Sequence, residues 1–198
     1  MLDIANEFFA TYVRYYRGLQ SYILLTDSPR GWKTEVIILY GDAGTGKTRT
    51  TVDEAIGELY SVSNPNGGSL WFDGYCGQES VVFDDFYGWV PLALMLKLMD
   101  EYELRIPIKG AMVQWKPKRM FITSNSMFTG WYKWEDYDNE LFIAFRRRIG
   151  ELRVFRRADI FSQSEIDWSR RVNVTVKKRE YIDSIRSDDN PIRFYDLS

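Results

Sequence analysis

Apolar and polar residues follow one another along the middle of the chain in short blocks, which predict strands and helices in alternation. The apolar blocks predict strands at Thr34–Tyr40, Leu70–Phe72, Ser80–Asp84, Met120–Thr123 and Glu151–Phe155, and a hairpin over Leu104–Trp115. Helical spacing predicts helices at Thr48–Leu59, Pro91–Tyr102 and Glu140–Arg147. Such alternation is typical of an α/β protein, in which helices flank a parallel sheet.

The two ends of the chain differ from this central pattern. Apolar residues recur every three or four positions over residues 1–26, which predicts one helix or two short helices broken near Gly18. That segment is too short to bury its own apolar face, so it must pack on the core or on another subunit. We therefore predict a helical segment over 1–30, an α/β domain over 31–160, and a peripheral or loosely ordered tail over 161–198, with a short strand at Val172–Val176.

The stretch GDAGTGKT follows the first predicted strand and precedes the first predicted helix. It fits the phosphate-loop pattern G-x-x-x-x-G-K-[ST], in which backbone N–H groups face phosphate oxygens. Lys47 can reach the β- and γ-phosphates, and the Thr48 hydroxyl can bind magnesium. A glycine-rich loop that only turns the chain is the alternative, which the preceding strand disfavours. The predicted nucleotide contacts are Gly41, Asp42, Ala43, Gly44, Thr45, Gly46, Lys47, Thr48 and Arg49.

Two later strands also end in polar side chains. Asp84 and Asp85 follow an apolar run, where Asp84 can hold the magnesium hydration shell and Asp85 can polarise an attacking water. Asn125 follows another apolar run, at a place where motor ATPases carry an amide that senses the γ-phosphate. Solvated aspartates at a strand end, and an ordinary Ser-Asn turn, are the plainer alternatives.

Composition excludes several other kinds of chemistry. Hydrophobic residues make up 45% and charged residues 27% of the chain, as in soluble globular proteins. The chain has no histidine and a single cysteine, Cys76, which rules out an internal disulfide and a histidine-activated nucleophile and disfavours structural zinc. No apolar run approaches the length of a membrane span. The sequence predicts a soluble, intracellular protein.

Positive charge is local, since the net charge is only −2. Residues 105–119 carry five basic and no acidic residues, and residues 146–157 carry six arginines against the single acid Glu151. Any polyanion should therefore bind at these two stretches. The run Arg146-Arg147-Arg148 is either a solvated helix end or a source of an arginine finger for a neighbour's ATP site, with Arg147 or Arg148 as the finger.

Taken in order, these motifs resemble the superfamily 3 helicase domain of replication initiator proteins (Rep) from circular single-stranded DNA viruses, and most closely those of circoviruses and cycloviruses. The resemblance covers roughly residues 10–156. The stretches that carry it are YVRYYRGL, GWKTEVIILYGDAGTGKTRT, LWFDGYCGQESVVFDDFYGWVPL, the Lys109-Gly110 hairpin, FITSN and FRRRI. Asp42 departs from the family's pattern, where proline is usual.

The resemblance implies a P-loop ATPase with an AAA+-like sheet, working as a homohexamer that the helical segment helps to assemble. ATP and Mg²⁺ would bind between subunits, and the ring would move 3′ to 5′ on single-stranded DNA during rolling-circle replication. The hairpin would grip DNA through Lys109 and Gly110. Weaker candidates for DNA contacts are Trp115, Lys116 and Lys118.

The resemblance also leads us to expect that the family's N-terminal nicking endonuclease domain is absent here, because that domain needs histidines. The expected location is the host cell nucleus, with host replication proteins as further candidate partners and no membrane association. Two other functions stay open from the sequence: a small-molecule P-loop kinase, and a module that uses ATP for assembly or packaging. The first would act as a monomer without DNA, which distinguishes it from a ring motor.

Overall fold

The computed structural model describes residues 6–134, 140–156 and 195–196, and its core is one parallel sheet. Its strands are β1 (Glu35–Gly41), β2 (Leu59–Val62), β3 (Ser80–Phe83), β6 (Arg119–Ser124), β7 (Glu151–Arg156) and β8 (Tyr195–Asp196). They lie in the order β2-β3-β6-β1-β7-β8, with every neighbouring pair parallel. The remaining strands, β4 (Arg105–Ile108) and β5 (Ala111–Gln114), form an antiparallel hairpin. The predicted α/β architecture with a parallel sheet is thus confirmed.

Helices connect the strands. They are α1 (Phe9–Thr26), α2 (Lys47–Asp53), α3 (Leu92–Leu98), a single 3₁₀ turn (Phe128–Gly130) and α4 (Glu140–Arg146). Pro91 precedes α3, where its missing N–H costs nothing. The connections place the strands that carry the candidate motifs side by side at the centre of the sheet.

Strand β1 is central because both of its faces are covered. Val36, Ile38 and Tyr40 face the larger hydrophobic cluster, whereas Ile37 and Leu39 face a smaller one on the other side of the sheet. This alternation follows from the two-residue period of a strand. A continuous apolar run is therefore what a central parallel strand requires.

The segment after α2 differs from the prediction. The helix predicted for Thr48–Leu59 ends at Asp53, and Leu59–Val62 forms the edge strand β2 beside β3. Beyond the end of the helix, Gly57 adopts a left-handed φ of 66°, which turns the chain just before β2. The prediction was wrong here because helical spacing alone does not show where a helix gives way to an edge strand.

The predicted strand at Leu70–Phe72 is also wrong, because these residues form no strand in the sheet. The Phe72 amide instead donates to the Pro107 carbonyl at 3.0 Å, which ties this segment to the hairpin. The helix predicted for Pro91–Tyr102 ends earlier, at Leu98. The buried Arg30 guanidinium accounts for this end, since it donates to the carbonyls of Lys97, Leu98 and Tyr102.

Helix α1 runs without a break through Gly18, and it exposes Phe9, Val13 and Tyr16. In the ranges that the structure describes, no helix has the length and apolar character that crossing a membrane requires. The short strand predicted at Val172–Val176 lies outside the described residues. The division at residues 30 and 160 stays a prediction.

Candidate functional site

Three neighbouring strands end at one edge of the sheet, and each end carries a candidate motif. Strand β6 lies between β3 and β1, and all three are parallel, so their carboxyl ends meet. The phosphate loop follows β1, the paired acids follow β3, and Asn125 follows β6. Ligands of open α/β sheets bind at this kind of edge.

The phosphate loop departs from β1 through a tight backbone contact. The Asp42 amide donates to the Phe155 carbonyl at 2.9 Å, and a Cβ on Gly41 would lie 1.8 Å from that oxygen. Gly44 and Gly46 adopt left-handed φ values of 74° and 88°. The glycines of the motif are therefore required by close approach at Gly41 and by backbone conformation at the other two positions.

Lys47 is almost fully buried, and its ammonium is held inside the loop. Nζ donates to the carbonyls of Gly41 and Asp42, at 2.9 and 2.8 Å, and to Asn125 Oδ1 at 2.9 Å. The side chain thus links the ends of β1 and β6. Asp42, the residue that departs from the family's pattern, contributes its backbone carbonyl here, and the same oxygen accepts from the Thr45 hydroxyl at 2.7 Å.

The second group of contacts centres on Asp84. Its Oδ1 accepts from the Thr48 hydroxyl at 3.0 Å and from the Thr123 hydroxyl at 2.5 Å. The Thr123 oxygen also accepts from the Asp85 amide at 3.1 Å. Asp84 therefore lies beside the Thr48 hydroxyl, the other predicted magnesium ligand. Thr123 contacts both Asp84 and Asp85 and holds them in place.

Asp85 has an unusual backbone conformation. Its φ is 45°, which non-glycine residues adopt rarely, although aspartate tolerates it better than most. The following Phe86 amide donates to the Thr123 carbonyl at 2.8 Å, so this turn is anchored on both sides. The turn leaves the Asp85 side chain exposed at the strand edge. Asp85 thus presents an exposed carboxylate directly after Asp84 in the chain.

Asn125 connects the two sides of the site. Its Oδ1 accepts from Lys47, and its Nδ2 donates to the Tyr87 hydroxyl at 3.0 Å. Tyr87 is half-exposed and lies two residues beyond the paired acids. Phosphate oxygens that attracted Lys47 would therefore alter the contacts of Asn125, as a sensor residue requires.

Two residues of the predicted nucleotide set lie further from these contacts. Arg49 is exposed and pairs with Asp53 one helical turn later, at 3.7 Å. Ala43 is exposed at the loop surface. The structure thus brings Lys47, Thr48, Asp84 and Asn125 together, whereas it leaves Arg49 pointing to solvent.

The arginine cluster separates into different roles. Arg148 donates to the Ala144 carbonyl at 2.7 Å and forms an ion pair with Asp100, and its side chain is only 13% exposed. Arg147, by contrast, is exposed. Arg148 therefore makes its contacts within its own chain, whereas Arg147, the other predicted finger residue, is exposed to solvent.

The hairpin turns at Lys109 and Gly110, as predicted, with Ile108 paired to Ala111. Gly110 has a φ of 88°, which suits a two-residue turn. Lys109 is highly exposed, and its ammonium lies 3.1 Å from an oxygen of Asp73. The basic tip of the hairpin is thus accessible to a partner.

The other three predicted DNA contacts are less accessible. Trp115 is fully buried against Phe72 and Tyr75, and its Nε1 donates to the Leu98 carbonyl at 3.0 Å. It is a core residue in the folded chain, so we do not retain the prediction that it contacts DNA. Lys116 is mostly buried in an ion pair with Asp27, and half-exposed Lys118 pairs with Glu79 at 2.6 Å.

Sequence reasoning missed Thr123, Tyr87 and Asp73. The sequence predicts Thr123 as the end of a strand, and its position directly before Ser124-Asn125 is the signal that places it at this edge of the sheet. Tyr87 follows the paired acids closely enough to be a candidate on position alone. Nothing in the sequence pointed to Asp73, because its partner Lys109 lies 36 residues away.

The chain is similar in sequence to a helicase family and to several viral replication-associated proteins. A family model described as RNA helicase matches residues 37–126, which run from β1 to just beyond β6. The chain is 44% identical to the replication-associated protein of Beak and feather disease virus over 149 residues, which cover 74% of this chain and 50% of that protein. With the replication-associated protein of Human associated cyclovirus 1 it shares 39% identity over 147 residues, 71% of this chain and 52% of that protein.

A third relative is the replication-associated protein of Porcine circovirus 2, which is 36% identical over 134 residues, 67% of this chain and 42% of that protein. The chain therefore spans about half the length of the relatives it matches. The family model covers the phosphate loop, the paired acids, the hairpin and Asn125.

Proposed function

Because this chain belongs, through its superfamily 3 helicase domain, to the replication-associated proteins of circoviruses and cycloviruses, we propose that it is an ATP-driven motor on single-stranded DNA. The observation that carries the proposal is the meeting of Lys47, the Thr48–Asp84 pair and Asn125 at one sheet edge. A phosphate loop alone fits many enzymes. A loop lysine that is hydrogen-bonded to an amide side chain on the neighbouring strand is suited to a motor ATPase, which must detect whether a γ-phosphate is bound.

The residues present fit a magnesium nucleotide. Thr48 and Asp84 would hold the ion, because their oxygens already lie 3.0 Å apart, and a bound magnesium would neutralise charge on the phosphates. In the described ranges no three histidine, cysteine or acidic side chains cluster as a metal site. The nucleotide's own phosphates and water would therefore complete the coordination, as is usual for magnesium.

Each residue then has a distinct task in hydrolysis. Lys47 exchanges its contacts with loop carbonyls and Asn125 for phosphate oxygens, which gives the site a way to respond to nucleotide. Asp85 accepts a proton from the attacking water while the water oxygen bonds to the γ-phosphorus and the bond between that phosphorus and ADP breaks. Asn125, which is bonded to Lys47 and to Tyr87, would respond to the γ-phosphate through its contact with Lys47.

We further propose that the active form is a homohexameric ring in which Arg147 of one subunit completes the site of the next. Arg147 supports this role because it is exposed, whereas Arg148 is committed to Asp100. The exposed apolar residues of α1 are consistent with burial against another subunit. The 3′ to 5′ polarity, nuclear location and host partners stay predictions of the resemblance.

The first experiment measures ATP turnover with and without oligo(dT), together with the mass of the protein in solution. We expect a hexamer whose turnover rises with single-stranded DNA and is abolished by Lys47→Ala. An oligo(U) arm is needed because the matching family model is described as RNA helicase. Stimulation by RNA alone would overturn the DNA assignment, and a monomer indifferent to both would favour a kinase.

The second experiment separates DNA contact from hydrolysis. Lys109→Ala should keep basal ATP turnover but lose strand unwinding, because the hairpin tip would lose its ammonium. Lys97→Ala is a matched control, since Lys97 is also an exposed lysine but lies on α3. Unwinding by Lys109→Ala at the rate of the control would remove the hairpin from the mechanism.

The third experiment tests whether Arg147 acts across a subunit boundary. Arg147→Ala and Lys47→Ala chains should each be inactive alone. In a mixed ring, a Lys47→Ala subunit can still donate Arg147 to a neighbour that retains Lys47. Random mixing in equal amounts should restore about a quarter of the sites. No recovery in mixed rings, or full activity of Arg147→Ala alone, would refute the assignment.

A further inference from the structure

Asp73 makes two contacts with the tip of the hairpin. Its Oδ1 accepts from the Lys109 backbone amide at 2.7 Å, and its Oδ2 lies 3.1 Å from the Lys109 ammonium. One carboxylate therefore binds both the turn itself and the side chain that the turn presents. These are different interactions, since the first fixes the backbone and the second neutralises the charge.

The segment that carries Asp73 is held firmly beside strand β4. The Phe72 amide donates to the Pro107 carbonyl, and the buried Phe72 ring packs against Trp115. The Tyr60 hydroxyl donates to the Asp73 carbonyl at 3.1 Å. Asp73 is thus placed by three contacts that do not involve Lys109, so it can act as a fixed support for the hairpin.

The ion pair is nevertheless exposed. The Lys109 side chain is 78% exposed and that of Asp73 39%. The pKa of Asp73 is lowered, mainly by the hydrogen bond from the Lys109 amide, so the carboxylate is charged at neutral pH. An exposed ion pair contributes little net stability, and a phosphate oxygen can replace the carboxylate as the partner of the ammonium.

We propose that Asp73 is a positioning residue of the hairpin, which fixes the turn through the Lys109 amide and holds the Lys109 ammonium until a DNA phosphate displaces the carboxylate. This inference rests on the proposed function, because it assumes that Lys109 meets a phosphodiester backbone. On displacement the hydrogen bond to the amide is kept, so the tip stays ordered while the ammonium moves. Asp73 then limits DNA affinity, since every contact with a phosphate must compete with it.

Two substitutions separate the two tasks of Asp73. Asp73→Asn keeps an oxygen acceptor for the Lys109 amide but removes the charge that competes with DNA. Asp73→Ala removes both. Affinity for fluorescent oligo(dT), measured by anisotropy at low salt without nucleotide, should rise about two- to fivefold for Asp73→Asn and less for Asp73→Ala. The gain should shrink as salt is raised, because the competing pair is solvent-exposed.

A matched control removes the same charge elsewhere. Glu35→Gln breaks the ion pair with Arg119 at the start of β1, and the Glu35 side chain is 49% exposed, close to the value for Asp73. This control should leave DNA affinity unchanged. A double-mutant cycle completes the design: in a Lys109→Ala background, Asp73→Asn should no longer raise affinity.

Exchange of the Lys109 amide proton reports the backbone contact independently of DNA. This exchange should remain slow in Asp73→Asn and become faster in Asp73→Ala. Cooperative thermal unfolding of both variants would show that each of them is folded. Unchanged affinity of Asp73→Asn, an equal gain in Glu35→Gln, or a gain that persists without Lys109 would each overturn the inference. Failure of every chain, wild type included, to bind the oligonucleotide would instead refute the proposed function.

Discussion

Replacing Arg148 with alanine tests the assignment of the arginine cluster. Arg148 and Asp100 form an ion pair whose side chains are 13% and 23% exposed. Removal of one partner from a fully buried pair costs about 3–5 kcal/mol. Because both side chains keep some contact with water, we expect the free energy of unfolding to fall by about 1.5–3 kcal/mol. In a chain of this size that corresponds to a melting temperature lower by about 3–12 °C.

The same ion pair has a defined dependence on pH. Burial alone would raise the pKa of Asp100. The hydrogen bonds from Arg148 and from the Glu101 amide, together with the positive charges of Arg148 and Arg30, outweigh burial, so the pKa is lowered. The stabilisation is therefore complete above the unfolded-state value of about 3.9 and is lost as the pH falls through the lower folded-state pKa. The stability difference between wild type and Arg148→Ala should be full at pH 7 and should narrow below about pH 4.

Arg147→Ala is the matched control for this measurement. Arg147 is exposed, so its loss should change the free energy of unfolding by less than about 0.5 kcal/mol. Urea or thermal unfolding of both variants at pH 7 and at about pH 2.5 provides the comparison. Equal losses in the two variants, or no loss in Arg148→Ala, would refute the argument that Arg148 serves its own fold while Arg147 is available to a neighbour.

Two further substitutions test the site edge. Thr123→Val removes the hydroxyl that donates to Asp84 and accepts from the Asp85 amide. The free energy of unfolding should therefore fall by about 1–3 kcal/mol, and ATP turnover should drop. A variant in which both quantities are unchanged would contradict the role of Thr123. Gly41→Ala places a Cβ 1.8 Å from the Phe155 carbonyl oxygen, so thermal unfolding should show that the free energy of unfolding falls by more than about 3 kcal/mol. Gly31→Ala is the control, because a Cβ at Gly31 meets open space and should leave stability unchanged.

The motifs of the candidate site could be predicted from the sequence because each is local. The phosphate loop is eight consecutive residues with a fixed backbone requirement. Asp84, Asp85 and Asn125 each follow a short apolar run of the length typical of a buried strand. The hairpin turn at Lys109-Gly110 is local in the same way. The alternation of strands and helices, and with it the α/β class, followed from short-range periodicity.

What depends on long-range contacts could not be predicted in this way. Leu59–Val62 forms a strand because it finds an edge beside β3, and Trp115 is buried because Phe72 and Tyr75 enclose it. In both cases the contacting residues lie far away in the sequence. Basic residues of the stretch 105–119 likewise differ in their surroundings. Lys116 is mostly buried in an ion pair with Asp27, whereas Lys109 is exposed.

The sequence by itself determined which residues are able to bind a phosphate, hold a metal ion or meet DNA, because that ability belongs to residue type and local backbone. Only the tertiary structure decided which of them meet. The strand order β3-β6-β1 brings Asp84 to Thr48 and Asn125 to Lys47, and the chain path brings Asp73 to Lys109. The physical reason is that pairing of distant strands depends on the packing of the whole core, which no local pattern encodes.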